Sequence, residues 1–179
     1  MLTLQLLALL GPVLSQSGPW PSSPAFFPYW PTRKTTVLNG TWSFGMVDPT
    51  DAGVITSGGY ADITTPNTTQ VPSCFDITEP GIKGPRTTVF YRSTHPCTTG
   101  TQSHLKFMAV NFFTRVFVDG VELGNHSYGP YTPFAFVAPA CKGGVREIAL
   151  MVNNQFNKTL SPTATGGDFY AFGGTVLVV

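Results

Sequence analysis

Charge is what this sequence has least of. Lys, Arg, Asp and Glu together make up 11% of its 179 residues and the net charge is +1, against roughly 25% charged residues in an average soluble chain. A nucleic-acid binder needs a basic face to neutralise phosphates, and no such patch exists here. Low charge also excludes a solvated, charge-rich disordered tail. Cysteine is nearly as scarce. Cys74, Cys97 and Cys141 are too few for a disulfide scaffold, and their odd number leaves at most one bridge with one free thiol. Cys97 and Cys141 both lie in polar stretches just beyond strand-like runs, so they are the expected pair. His95, His104 and His126 show no ligand spacing with one another or with cysteine, so neither a metal nor a cofactor is expected. Helix-length uninterrupted segments are missing too, because 19 Gly and 16 Pro punctuate the chain.

What remains is apolar and aromatic. Hydrophobic residues account for 42% and aromatics for 13%, with 14 Phe, ample for a core in a chain of one-domain length. Residues 1–17 open with MLTLQLLALLGPVL, free of charged side chains, with compact Val13 and Ser15 two apart. This reads as a secretory signal peptide. The alternative is a buried N-terminal strand or helix; a membrane span is disfavoured, since about 20 continuous apolar residues are needed and Pro12 interrupts the run. Once the leader is cleaved, no membrane association is expected. Four N-x-S/T triplets, at Asn39, Asn67, Asn125 and Asn157, are candidate glycosylation sites. With the leader, they predict a secreted protein or one of the lysosomal or endomembrane lumen.

Residues 18–36 form an arm. Five Pro fall within Ser17 to Pro31 and forbid helix, and Trp20, Phe26, Phe27, Tyr29 and Trp30 lie between them. Two roles fit: packing on the domain surface, or a segment for a partner protein. From residue 37 the pattern changes to strand-sized runs separated by turns. Trp42 and Phe44 alternate after Asn39-Gly40. Residues 48–70 are polar and read as a long loop. TTVFYRS (87–93), HLKFMAV (104–110), FTRVFVD (113–119), PFAFVA (133–138), REIALMVN (146–153) and TVLVV (175–179) follow. In 113–119 both alternating faces are largely apolar, which places that strand between two layers. Asp119-Gly120 between apolar runs is a hairpin turn. Seven or eight short strands with no convincing helix predict an all-β, two-sheet sandwich.

Several of these runs, in order, resemble a known family. Leu38-Asn39-Gly40-Thr41-Trp42-Ser43-Phe44 is similar to the L-x-G-x-W-x-F opening of the N-terminal sugar-binding domain of glycoside hydrolase family 2, the family of β-galactosidases, β-mannosidases and β-glucuronidases. Val71-Pro72-Ser73-Cys74-Phe75 resembles its V-P-x-x-[FW] loop, and Phe90-Tyr91-Arg92 its aromatic-Tyr-Arg strand. Residues 117–126 followed by 129–134 resemble its V-x-V-N-G-x-x-x-G-x-H…G-G-Y-x-P-F stretch, and Val152-Asn153-Asn154 its V-x-N strand end. The resemblance covers residues 37–179 and implies a jelly-roll sandwich of the galactose-binding-domain type. The run from Gly166 to Gly174 is similar to the family's D-F-F-N-Y-A-G segment, whose Asp reaches the sugar. Asp168 holds that position, so the resemblance implies a carbohydrate contact there. From the residues alone, Asp168 also fits a turn cap after Gly166-Gly167. Ala171 stands where the family has Asn, and the Arg that follows in the family is absent.

The resemblance does not imply an enzyme in this chain. Retaining glycoside hydrolysis needs two carboxylates about 5–5.5 Å apart. The three glutamates are Glu79 in a Pro/Gly loop, Glu122 in a hairpin and Glu147 at a strand start, none preceded by Asn. In the family the catalytic pair lies in a (β/α)₈ barrel that these residues do not contain. No catalytic residue is therefore assigned. The expected partner is a carbohydrate, a β-glycoside or glycan, together with a catalytic barrel domain absent from these residues, which are read as the N-terminal domain of a larger hydrolase or a product truncated after it. The alternative is a stand-alone lectin-like module.

Overall fold

Alternation across neighbouring strands determines how this chain folds. In the computed structural model, which describes residues 34–47, 60, 63–78, 87–127, 129, 131–155 and 173–178, ten strands and one helical turn are seen among the described residues. The strands are β1 (Gly40–Met46), β2 (Asn67–Val71), β3 (Ser73–Cys74), β4 (Thr88–Pro96), β5 (Ser103–Asn111), β6 (Phe113–Val118), β7 (Val121–His126), β8 (Phe134–Ala138), β9 (Val145–Asn153) and β10 (Gly174–Val178). The turn of helix is α1 (Phe75–Thr78). Residues from Thr36 onward form one compact unit.

The strands make two antiparallel sheets, in the orders β2-β1-β4-β9-β6-β7 and β3-β10-β5-β8. Their registers line up one apolar row across four strands of the larger sheet: Phe44 faces Tyr91, Tyr91 faces Leu150, and Leu150 faces Val116. Because side chains alternate along a strand, Trp42, Val89, Val118, Ile148 and Val152 fall on the same face. They meet Leu105, Phe107 and Val110 of β5 and Ala138 of β8 in the core between the sheets. Removing each such side chain from water contributes roughly 1.5–3 kcal/mol. The architecture is the expected all-β jelly-roll sandwich.

The opposite face of the larger sheet is also covered. Phe90, Phe117, Ala149 and Met151 pack with Val47, Tyr60 and Ile63. Gly45 is required for this second layer: a Cβ there would sit 2.3 Å from the Thr64 carbonyl oxygen. The β4, β6 and β9 strands are thus apolar on both faces, as 113–119 predicted for β6.

Asp119 and Gly120, with φ of 50° and 84°, turn β6 onto β7. Positive φ at both central positions is the hairpin geometry that Asp-Gly favours. The sulfurs of Cys97 and Cys141 are bonded, with Cα atoms 6.0 Å apart and a sequence separation of 44. Cys74 is free.

Two expectations need correction. Ten strands are present among the described residues, not seven or eight, and residues 67–70, read as loop, form β2 with Val71. That segment is an edge strand of polar Thr and Gln, so it lacks the apolar alternation by which strands are recognised. The helix among the described residues, α1, is a single turn too short for a periodic signal. The leader, residues 18–33 of the arm, and residues 156–172 lie outside the described residues.

Candidate functional site

Asp168, the sugar-contacting candidate, falls in 156–172 and outside the described residues, as does Asn157. The structure describes both chain positions from which that segment departs and returns, and one carboxylate joins them. Asp76, in the first position after Phe75 in α1, accepts a hydrogen bond from Asn154 Nδ2 at 3.1 Å on one oxygen and 3.3 Å on the other. Its second oxygen also accepts the Gly173 backbone N–H. Asn154 directly follows β9 and Gly173 directly precedes β10, so Asp76 clamps the two stems together.

Each stem has a second tether. Asn154 Oδ1 accepts the Thr87 N–H at 2.7 Å, and the Thr87 carbonyl accepts the Asn154 N–H at 3.2 Å. The Gly173 carbonyl accepts the Phe75 N–H at 3.0 Å. Gly173 lies against the Phe75 ring so tightly that a Cβ would fall 2.1 Å from its Cζ. Only glycine fits, because the ring behind it is fully buried. Burial pushes the Asp76 carboxyl above its ordinary range, against the opposing donation from Gly173, Asn154 and Cys74. The Cys74 Sγ–Asp76 Oδ2 contact is 3.9 Å, and burial with the adjacent carboxylate raises the thiol. This thiol is therefore held in its protonated, poorly nucleophilic form.

The other candidates are spread over the sandwich. Asn67 is exposed at the start of β2, Asn125 is exposed on β7, and Asn39 is half-buried just before β1. The glutamates within the described residues are engaged. Glu122 is ion-paired with Arg115, whose Nε donates to Oε1 at 2.8 Å, and this pairing lowers its carboxyl. Glu147 accepts from Tyr60 Oη at 2.9 Å and lies 3.5 Å from Arg92 Nε. Glu79 lies outside the described residues. The histidines occupy separate environments. His95 tilts on Trp42 with ring centroids 5.5 Å apart, and His104 is exposed. His126 stacks on Phe134 at 4.2 Å, and its Nε2, which must carry the proton, donates to the Gly129 carbonyl at 3.2 Å. Among the described residues no three His, Cys, Asp or Glu side chains group as metal ligands.

In the sequence Asn154 reads only as a strand end and Gly173 only as part of a motif, and Asp76 does not stand out at all. The partners lie 78 and 97 residues from Asp76 along the chain. No local pattern encodes such a contact, and the only available signal was an acidic residue directly after the Val71–Phe75 motif.

These features define a class: an all-β jelly-roll sandwich whose β9–β10 connection is anchored at its base. No protein-family model and no curated protein matches the chain. Solved structures do. A GH2 β-galacturonidase from Eisenbergiella tayi bound to galacturonate matches with TM-score 0.63 and 24% identity, over 82% of this chain and 24% of its own. The β-glucuronidase from Ruminococcus gnavus in complex with D-glucuronic acid matches with TM-score 0.65 and 21% identity, over 84% of this chain and 30% of its own. At these identities the likeness is one of fold. The present chain spans less than a third of the length of either enzyme.

Proposed function

We propose that this chain is a non-catalytic carbohydrate-binding jelly-roll domain of the family 2 glycosidase type, with Asp168 as its sugar contact. The observation that carries this reading is the coincidence of two independent facts. The fold is that of a part of uronidases solved with galacturonate or glucuronate. The segment that bears the acidic residue of the family-like motif has both stems tied to Asp76. A carboxylate suits the task, because it accepts two hydrogen bonds from vicinal sugar hydroxyls. In this reading hydrolysis belongs to a barrel domain that these residues do not contain, in accord with the pairing of Glu122 and Glu147, the described glutamates, with arginines.

A secretory or luminal location accords with the Cys97–Cys141 bridge, because disulfides persist in oxidising compartments. The glycosylation sites belong to the same reading. A lectin-like role without a barrel is favoured by one observation, the self-contained core of the unit from Thr36 onward.

The test is titration of the purified chain with glucuronate, galacturonate and galactose, beside assays on chromogenic β-glycosides. Binding that is lost in Asp168→Ala, with no turnover, is the expected result. Turnover that survives repurification overturns the non-catalytic reading. Binding unchanged in Asp168→Ala overturns the role of that residue. Sub-millimolar affinity of the lone chain selects the lectin.

A further inference from the structure

Tyr131 is the one aromatic among the large hydrophobic side chains exposed in the described residues, with 69% of its surface accessible. The other described tyrosines, Tyr60 and Tyr91, are buried. Fixing an exposed side chain costs conformational entropy, yet this ring is fixed. Its Oη accepts a hydrogen bond from Asn111 Nδ2 at 3.3 Å. The ring meets that of Phe112 at 74°, with centroids 6.4 Å apart. Asn111 and Phe112 are themselves buried, at 6% and 3% exposure.

The backbone that carries Tyr131, in the β7–β8 connection, is tied as firmly. The Gly129 carbonyl accepts from the Thr132 N–H at 2.9 Å, from Thr132 Oγ1 at 2.6 Å and from His126 Nε2 at 3.2 Å. Both flanks of the tyrosine are thus held to one oxygen. The support also fixes where the ring stands. Asn111 ends β5 and pairs with Gly174, the first residue of β10. The Phe112 N–H donates at 3.1 Å to the carbonyl of Asn153, the last residue of β9. Asn154 and Gly173, one position further along, are the stems that Asp76 ties together. One buried dipeptide therefore supports Tyr131 and joins both strands from which residues 156–172 depart and return.

We infer that Tyr131 is a stacking platform for a sugar ring, at the end of the sandwich where the stems of the Asp168 segment lie. A pyranose carries hydroxyls around its rim and C–H groups on its faces. Those weakly positive hydrogens match the negative π face of an aromatic ring, whereas a carboxylate takes the rim hydroxyls. Binding sites for small molecules combine the two kinds of contact, apolar surface for area and a few polar groups for orientation. The Tyr131 hydroxyl serves to hold the ring, so the face is what the residue offers. This inference rests on the carbohydrate-binding reading, and adds to it a residue whose role is separable from that of Asp168.

The experiment titrates the full chain with glucuronate, galacturonate and galactose, following the sugar C–H protons by NMR. Binding to the wild type should shift those protons upfield as they enter the ring current of a tyrosine. Tyr131→Leu keeps apolar bulk but removes the π face. It should weaken binding about tenfold and abolish the upfield shift, with its urea midpoint close to that of the parent because the altered side chain is exposed. Tyr131→Phe keeps the face and loses the bond from Asn111, and should stay within about threefold of the wild type. Weakened binding in Tyr131→Leu beside unchanged binding in Asp168→Ala would support the platform and remove Asp168 from the site. Affinity and shift retained in Tyr131→Leu would overturn the platform and leave the carbohydrate reading standing. Equal losses in Tyr131→Phe and Tyr131→Leu would overturn stacking by assigning the effect to the hydroxyl, and a fall in the Tyr131→Leu urea midpoint alongside its lost binding would make the residue structural. A wild type that binds none of the three sugars overturns the carbohydrate reading and the platform with it.

Discussion

The two faces of the six-stranded sheet are built on different principles. The inner face is a continuous apolar layer in which Trp42, Phe44, Tyr91, Ile148 and Leu150 are all essentially inaccessible. The outer face mixes Phe90, Phe117 and Met151 with charged groups. There Arg92 lies 5.3 Å from the centre of the Tyr60 ring and donates to the Tyr60 carbonyl at 3.0 Å, while Arg115 lies 5.2 Å from the centre of the Phe117 ring. Tyr60 Oη joins Glu147 to the Gly120 N–H. The inner face is closed by a second sheet; on the outer one, the described residues that cover it include Val47, Tyr60 and Ile63. The difference teaches that the fold's stability resides inside the sandwich, and that the outer layer holds by a few directional contacts.

The sharpest way to break this contrast is to open a cavity on each face. Phe44→Ala removes a ring that meets Tyr91 edge-on at 5.0 Å between two opposed sheets that cannot close the gap. Its cost should be about 3–5 kcal/mol, read as a lower urea midpoint for the whole chain. Met151→Ala, on the outer face, should stand at the low end, about 2 kcal/mol, because its covering residues can settle inward. Equal losses from both variants would show that the two layers are one core.

The Gly45 contact probes the outer layer by crowding. Gly45→Ala drives a methyl into the Thr64 carbonyl, and overpacking of this kind costs about 1–3 kcal/mol. The loss should appear as an earlier thermal transition. A neutral Gly45→Ala would mean that the stretch from Ile63 to Pro66 shifts freely over β1.

Legibility followed the same division. The alternation of Ile148, Leu150 and Val152, and of Trp42 and Phe44, announced strands because one face of each enters a continuous core. The double-sided apolar pattern of 113–119 announced both layers at once. Tyr60, within a stretch read as polar loop, gave no sign that its hydroxyl would reach Glu147, 87 residues away. Asp76 was silent for the same reason: hydrogen-bond partners of this kind are chosen by topology, which periodicity does not encode. Asp168 was visible only through a family-like motif and never through its chemistry alone.

Removing the hydroxyl of Tyr60 tests whether the outer layer depends on directional contacts. Tyr60→Phe retains the ring, which lies 4.8 Å from Phe117, but leaves Glu147 and the Gly120 N–H each one partner short. A loss of about 1–2 kcal/mol is expected, above the typical net value for one hydrogen bond because two are broken. In the parent, burial together with the Glu147 carboxylate pushes the phenol up to about 12. A raised folded-state pKa means the hydroxyl's stabilisation is complete below 10 and fades as pH climbs towards that value. The Tyr60→Phe difference should therefore shrink at strongly alkaline pH.

The smallest expected effect contrasts one titrating group from each face under acid. His95 continues the inner face beyond Tyr91, opposite Arg146 in the β4–β9 register. Its Nε2 is buried without a hydrogen-bond partner among the described residues, and burial lowers its pKa below the ordinary 6.5. A depressed pKa makes the neutral ring's contribution complete above 6.5 and lost as pH falls through the folded-state value. Glu122, on the outer side, is lowered from 4.5 by its bond to Arg115, so its contribution is complete above 4.5 and goes only in stronger acid. The melting temperature should therefore fall in two steps as pH drops, the inner face first. His95→Gln should abolish the upper step and leave the lower one, and Glu122→Gln should do the reverse. A single step removed by neither variant would place the acid sensitivity elsewhere and dissolve the distinction between the faces at the level of charge.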